Sequence, residues 1–310
     1  ESKATTTKVQ ILGLNDFHGN LEPPTGSGGR IGSLTSGACV APTCFAAGGV
    51  EYLATHVRQL RATNPNTLFV SAGDLIGATP LISALFHDEP TIEAFNLMDL
   101  DFNGVGNHEF DEGVDELLRM QEGGCHPVDG CADGDPYLGA DFQFLAANVT
   151  YKSNGETIFP PYAIREFQGV DVALGGLTLE GTPNIVTPAG IQTVNFLDEA
   201  ESVNALVPVL KAQGVETIIV LLHEGGTVPV SGNGAGSVTA INQCTNPGGA
   251  IPPIVTAMDD EVDVVVTGHT NWAVTCVIDG KVVTGAAHQG RLVTDIDLTI
   301  SRATKDVIPS

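Results

Sequence analysis

Five short polar segments each follow an apolar run in this 310-residue chain. Asp16 and His18 follow residues 9–14, and Asp74 follows residues 67–71. Asn107 and His108 follow residues 102–105, His223 follows residues 217–222, and His269 and Asn271 follow residues 262–267. Any one of these is an ordinary loop residue or a hydrogen-bonded core histidine. Together they form a set of nitrogen and oxygen donors too rich for one ion, which suits two divalent cations of the Mn, Zn or Fe kind. One carboxylate must then bridge the pair, and Asp74 is the central candidate. Two ions ~3.5–4 Å apart activate a water and stabilise both the attacking and the leaving oxygen of a displacement. The stretch from Gly106 to Asp111 holds an amide, an imidazole and two carboxylates, which could ligate a metal and hold a proton donor. Taken alone, that stretch also reads as a polar turn with Asp111 as a helix N-cap.

Such residues work together only if strand ends gather them. In open α/β sheets the carboxyl ends of parallel strands converge on one crevice. The apolar runs read as buried strands, joined by further strands over 142–149, 162–167, 170–179, 274–278, 281–284 and 292–300. Helical spacing marks residues 50–61, where Leu53, Val57 and Leu60 recur on one face, and also 81–86, 91–100, 114–120 and 254–258. The helix over 198–213 is expected to stop at Gly214. Gly73 lets the backbone turn sharply and project Asp74. Residues 22–49, 123–139 and 231–249 read as Gly-rich loops, and residues 1–7 as a frayed polar tail. No repeat and no second domain is apparent.

The composition narrows the partners. With 37 Asp and Glu against 13 Lys and Arg, the formal net charge is −24, which argues against a nucleic acid polymer and against anionic membranes. A phosphate substrate would then take its positive charge from bound metal. No apolar run reaches the length of a membrane span, so no membrane insertion is expected. No signal peptide is present, and the sequence reads as a mature form. Cys39 with Cys44 and Cys125 with Cys131 are close in sequence and lie in loops, leaving Cys244 with Cys276. Disulfides in all three pairs would place the chain in an oxidising compartment: secreted, periplasmic or at the cell surface. Asn148-Val149-Thr150 fits a glycosylation sequon.

The blocks Asp16-Phe17-His18-Gly19-Asn20, Gly73-Asp74, Gly106-Asn107-His108-Glu109, His223-Glu224 and Gly268-His269-Thr270-Asn271 resemble the five signature blocks of calcineurin-like metallophosphoesterases. Residues 14–23, 107–113 and 176–183 resemble the 5′-nucleotidase and 2′,3′-cyclic-nucleotide phosphodiesterase branch. The resemblance runs in order from about residue 9 to residue 300. It implies a layered α-β-β-α sandwich, with two mixed sheets flanked by helices. It further implies a catalytic domain over 8–303, and residues 304–310 starting a linker to a C-terminal nucleotide-binding domain. The implied first metal site is Asp16, His18, Asp74 and Asn271, with His269 nearby. The second is Asp74, Asn107, His223 and His269. His108 and Asp111 are implied to form a catalytic dyad off the metals, with Asn107 and His108 touching the phosphate. The implied reaction is release of phosphate from nucleotides by in-line attack of a metal-bound hydroxide.

Two departures stand out. Residues 76–79 read Ile-Gly-Ala-Thr where the family commonly has Gln-Gly-Thr. Moreover, 12 Phe, 4 Tyr and 1 Trp give no obvious base-stacking pair, and Trp272 beside His269 is read as packing. The alternatives are a cyclic-nucleotide phosphodiesterase of the same fold, or a metal-loaded surface recognition module of weak activity.

Overall fold

The computed structural model describes residues 5–35, 38–228, 241–242, 244 and 246–309, without the side chains of residues 27, 33–35 and 38–43. The first half runs β1 (Thr6–Leu14), β2 (Arg30–Thr35), β3 (Ala38–Ala46), α1 (Val50–Arg61), β4 (Thr67–Ser71), α2 (Leu81–Ala84), α3 (Glu89–Leu97), β5 (Phe102–Gly104) and α4 (Val114–Glu122). Then come β6 (Gln143–Leu145), β7 (Val149–Tyr151), β8 (Tyr162–Phe167), β9 (Val170–Thr178), β10 (Val194–Phe196) and α5 (Glu199–Ala212). The remainder is β11 (Thr217–His223), β12 (Gly226–Thr227), β13 (Gly248–Gly249), α6 (Ile251–Ala257), β14 (Val262–Thr267), β15 (Ala273–Ile278), β16 (Lys281–Ala286) and β17 (Thr294–Ser301).

Two mixed sheets carry the fold, in the orders β17-β1-β4-β5-β6 and β15-β16-β14-β11-β9-β8. Their central strands pair in parallel, and antiparallel strands close the edges at β17, β15 and β8. Burial sorts into three layers. Leu53 and Val57 of α1, Phe95 of α3, and Leu117 and Met120 of α4 cover one sheet. Val203, Val207 and Leu210 of α5, with Val255 of α6, cover the other. Between the sheets lies an aliphatic seam including Ile11, Val70, Val172, Ile219, Leu221 and Val264. Strands buried on both faces read as near-continuous apolar runs, which is why 217–222 and 262–267 stood out. The sheets approach closely enough that a Cβ on Gly176 would fall 2.2 Å from the Leu145 carbonyl oxygen. This α-β-β-α sandwich is the expected class.

Several boundaries differ. The span 22–49 holds the antiparallel pair β2–β3 rather than a plain loop. β1 begins at Thr6, inside the expected tail, because Thr6 and Thr7 pair with Ser301 and Ile300. Val307 bridges Ile300 and the Ile308 amide donates to the Thr299 carbonyl, so the polar end folds back on β17. The strand expected over 142–149 divides into β6 and β7, with Asn148 between them. Its side chain is fully buried and its amide donates to the carbonyls of Thr178 and Leu197, so the folded chain offers no glycan acceptor there.

Cys125–Cys131 and Cys244–Cys276 are disulfide-bonded. The expected Cys39–Cys44 pairing falls outside the described residues, since it rests on the Cys39 side chain. No helix among the described residues is long and apolar enough to cross a membrane.

Candidate active site

β1, β4, β5, β11 and β14 all run parallel within their sheets, so their carboxyl ends open on one edge of the sandwich. Asp74, just after β4, is the hub. Its Oδ2 lies 3.0 Å from His223 Nε2 and 3.8 Å from His18 Nε2. Asp16 Oδ1 is 3.8 Å from the same His18 nitrogen. Asn107 Oδ1 is 3.1 Å from His223 Nε2 and 2.9 Å from His269 Nδ1. The structure thus brings Asp16, His18, Asp74, Asn107, His223 and His269 together. Asn271 is held beside them through the His269 carbonyl, at 3.5 Å.

Backbone geometry aims these side chains. Asp16, His18, Asp74, His269 and Asn271 have φ of 50°, 49°, 53°, 65° and 61°. That left-handed region is sparsely used by non-glycine residues, and Asp, Asn and His tolerate it best. Each such residue costs of order 1 kcal/mol and persists where the surroundings over-determine it. Gly73 is required for a further reason: its φ is 91°, and a Cβ there would lie 2.6 Å from the Gly106 nitrogen and 2.7 Å from His223 Nδ1.

The donor set fits divalent cations. His18 Nδ1 faces the Gly77 carbonyl at 2.9 Å and His223 Nδ1 the Ala72 carbonyl at 2.7 Å. A carbonyl accepts, so each Nδ1 carries a proton and each Nε2 faces Asp74, where its lone pair would be free for a cation once that nitrogen is deprotonated, the usual arrangement behind a metal-ligating histidine. Asp16 Oδ1 and Asn271 Oδ1 are buried with no hydrogen-bond partner, which is costly unless a cation takes them. Without cations, the cluster balances as ion pairs. Burial opposes charge on His223, yet the Asp74 carboxylate pushes it up to about 10. Burial likewise opposes charge on His18, and the nearby Asp16 and Asp74 carboxylates raise it to about 9. Burial would raise Asp74, but His223 holds it well below the usual carboxylate range.

His108 stands outside this set. Its amide donates to Asp74 Oδ1 at 2.9 Å, and its Nδ1 lies 2.8 Å from Asp111 Oδ2. That hydrogen bond raises the imidazole pKa against the opposing effect of burial. Asp111 therefore orients His108, and Gly113, not Asp111, is the N-cap of α4. Both line a cavity of about 290 Å³ with Gly77, Ala78 and Thr79, so the departure at 76–79 forms part of the wall. Trp272 packs against the apolar layer under α5 and α6, as expected.

The supporting roles of two residues were not foreseen in the sequence. Glu109 is buried, and its carboxylate accepts from the amides of Asp74, Leu75 and Gly106 at 2.8–2.9 Å. It ties the Asp74 turn to the Asn107 turn. Asn15 donates to Asp16 Oδ2 at 2.6 Å and to the Ala287 carbonyl, while accepting from the Ala286 amide. The only signal was adjacency to a candidate ligand.

Similarity to known proteins agrees with this geometry. The chain is 33% identical over 305 residues to Endonuclease YhcR of Bacillus subtilis, covering 97% of this chain and 22% of that protein. It is 30% identical over 330 residues to the Listeria monocytogenes cell wall protein Lmo0130, covering 99% of this chain and 39% of that one. It is 31% identical over 227 residues to the snake venom 5′-nucleotidase of Gloydius brevicauda, covering 72% and 34%. The chain thus spans well under half the length of these three relatives. In fold it superposes on Haemophilus influenzae NAD nucleotidase with a TM-score of 0.72 at 21% identity, covering 98% of this chain and 49% of that one. Residues 9–272 match the profile of calcineurin-like phosphoesterases, and the chain belongs to that family.

Proposed function

We propose that this chain is a two-metal hydrolase that releases phosphate from nucleotides, of the 5′-nucleotidase type. The observation that carries the reading is Asp74, flanked on one side by Asp16 and His18 and on the other by His223, Asn107 and His269, with a His108–Asp111 dyad outside the cluster. Asp16, His18, Asp74 and Asn271 would hold one divalent cation, and Asp74, Asn107, His223 and His269 the other. When bound, the cations supply an activated water and positive charge against the phosphate.

The chain's own residues supply the rest. His108, kept protonated by Asp111, donates to a phosphoryl oxygen as charge builds there. Asn107 can give its oxygen to a cation while its amide hydrogens face the phosphate. The cavity beside His108 admits the ester, and loops around it select the leaving group. The resemblance to 5′-nucleotidases supports a nucleotide substrate, and the two disulfides support a secreted, periplasmic or cell-surface setting. A C-terminal nucleotide-binding domain belongs to the same reading, because the relatives extend far beyond the matched region.

The similarity to an endonuclease favours one second reading, phosphodiester hydrolysis, with 2′,3′-cyclic nucleotides as the compact substrate. One panel separates them. Phosphate release from nucleoside monophosphates with Mn or Zn, lost with chelator, supports the first. Opening of cyclic nucleotides or cutting of single-stranded nucleic acid, without monoester turnover, replaces it with the second. No metal-dependent turnover of any phosphate ester overturns both and leaves a metal-loaded recognition module.

A further inference from the structure

His87 sits on the turn between α2 and α3, with φ of 51°, and lines the same cavity as His108 and Asp111. Both of its ring nitrogens meet carboxylates. Nδ1 lies 2.9 Å from Glu112 Oε2, and Nε2 lies 2.9 Å from Asp129 Oδ2. An ionised carboxylate only accepts, and a neutral imidazole has a single N–H. Both contacts are hydrogen bonds only when the ring is an imidazolium. His126 stacks on it, with ring centroids 3.8 Å apart and planes 11° apart. The Asp129 amide donates to His126 Nδ1 at 3.1 Å, so that nitrogen carries no proton and a neutral ring backs the charged one. Two imidazoles and two carboxylates this close also resemble metal ligands, but the stack argues against an ion. A ligating nitrogen directs its lone pair in the plane of its ring, and two nearly parallel planes leave no point that serves both.

This cluster joins the walls around the dyad. Glu112 directly follows Asp111, and Asp129 lies in the loop closed by Cys125–Cys131. Asp88, next to His87, accepts from the Gly77 amide at 3.1 Å. Gly77 in turn approaches His108 so closely that a Cβ on it would lie 2.7 Å from the His108 Cβ. We propose that His87 is a positioning residue for the dyad, clamping Glu112 to the disulfide-closed loop only while both of its nitrogens carry protons. The clamp rests on the role proposed above for His108 and Asp111. The charged and titratable groups around the ring are Glu112 and Glu116 beside and within α4, Asp129 and His126 on the loop, and Asp88 on its own turn. Burial opposes the charge, but Glu112, Asp129 and Glu116 outweigh it and hold the pKa above the ordinary 6.5. The clamp is therefore complete below pH 6.5 and opens as pH rises through the raised value.

Hydrolysis of p-nitrophenyl phosphate with saturating Mn, in wild type and His87→Asn from about pH 6 to about pH 9, tests this. Asn tolerates the left-handed turn but is too short to span both carboxylates. At the acid end kcat/KM is expected to be about two- to fivefold higher in the wild type, the worth of one partly exposed ion pair. At the alkaline end the two should converge. His87→Arg, charged throughout and able to reach both carboxylates, should keep the higher value there. A constant ratio across the range, or no rescue by Arg, overturns the proposal. The clamp is also read without turnover from histidine nitrogen-15 NMR shifts, so it stands or falls apart from the hydrolase reading. His87 should titrate above 6.5, and Asp129→Asn should bring its midpoint down. A His87 midpoint at or below 6.5 overturns the proposal. So does Zn, added beyond two equivalents, displacing the His87 ring protons, which would make the cluster a metal site.

Discussion

His223 Nε2 lies 3.0 Å from Asp74 Oδ2 although His223 ends a strand of the six-stranded sheet and Asp74 follows a strand of the five-stranded one. The pair spans the seam of the sandwich, so a cation bound between them joins the two sheets. Cation binding should therefore stabilise the whole domain by mass action, by about 3 kcal/mol at a hundredfold excess over its dissociation constant. His223→Ala is expected to reduce that gain to below about 1 kcal/mol. His18 and His223 are charged without metal, so binding must also release protons. Melting with and without Mn, and titration calorimetry in two buffers of different ionisation enthalpy, read both effects. An equal metal-induced shift in the variant counts against the assignment of His223.

Glu109 makes a separate prediction because it touches backbone only on the two turns and on Asn103 by side chain. It accepts from three amides at 2.8–2.9 Å and from Asn103 Nδ2 at 3.2 Å. Glu109→Gln keeps the shape but replaces one acceptor oxygen with a donor facing an N–H. The expected loss is about 2–3 kcal/mol of stability, read as a lower urea midpoint at unchanged slope. Metal affinity should weaken with it, since the turns bearing Asp74 and Asn107 lose their common anchor. Full stability in the variant would show that the turns hold themselves.

His108 bonds Asp74 through its amide and its ring meets the edge-on ring of His18, but it is not one of the assigned ligands, so its imidazole can be removed without an assigned ligand being lost. His108→Ala should lower kcat by about a hundredfold or more, with metal content unchanged by elemental analysis. Asp111→Asn should lower kcat less and shift the pH profile to lower pH, because the carboxylate is what favours the charged imidazole. Loss of metal from His108→Ala would instead make it a ligand.

Much of this site was legible in the sequence because strands buried on both faces announce themselves as apolar runs, and polar residues at their ends are then conspicuous. That is how His223 and His269 were placed on one crevice despite 45 intervening positions. Glu109 was not legible, since a carboxylate that serves three backbone amides looks in sequence like any other loop acid. Nor was the β2–β3 pair, whose Gly, Thr and Ser content resembles a loop. The left-handed backbone at Asp16 and Asp74 also escaped notice, because local propensity does not reveal a conformation imposed by neighbouring strands.

Asp263 gives a prediction about stability away from the site. At the irregularity in the β11–β14 pairing, Ile218 faces Val262 and Ile219 faces Val264, so Asp263 is skipped. Its Oδ2 accepts from the Ile218 amide at 2.9 Å instead. Burial, with Asp306 and Glu261 nearby, pushes its pKa from the ordinary 3.8 up to about 7. The folded state thus binds this proton more tightly than the unfolded chain does. The resulting stability is fully present below about pH 4 and is lost as pH rises through about 7. Asp263→Asn keeps an acceptor for Ile218 and never ionises. Wild type and variant should melt alike under acid conditions, and above about pH 8 the variant should be more stable by on the order of 2 kcal/mol. Parallel melting curves across that range would mean that Asp263 reaches solvent when charged.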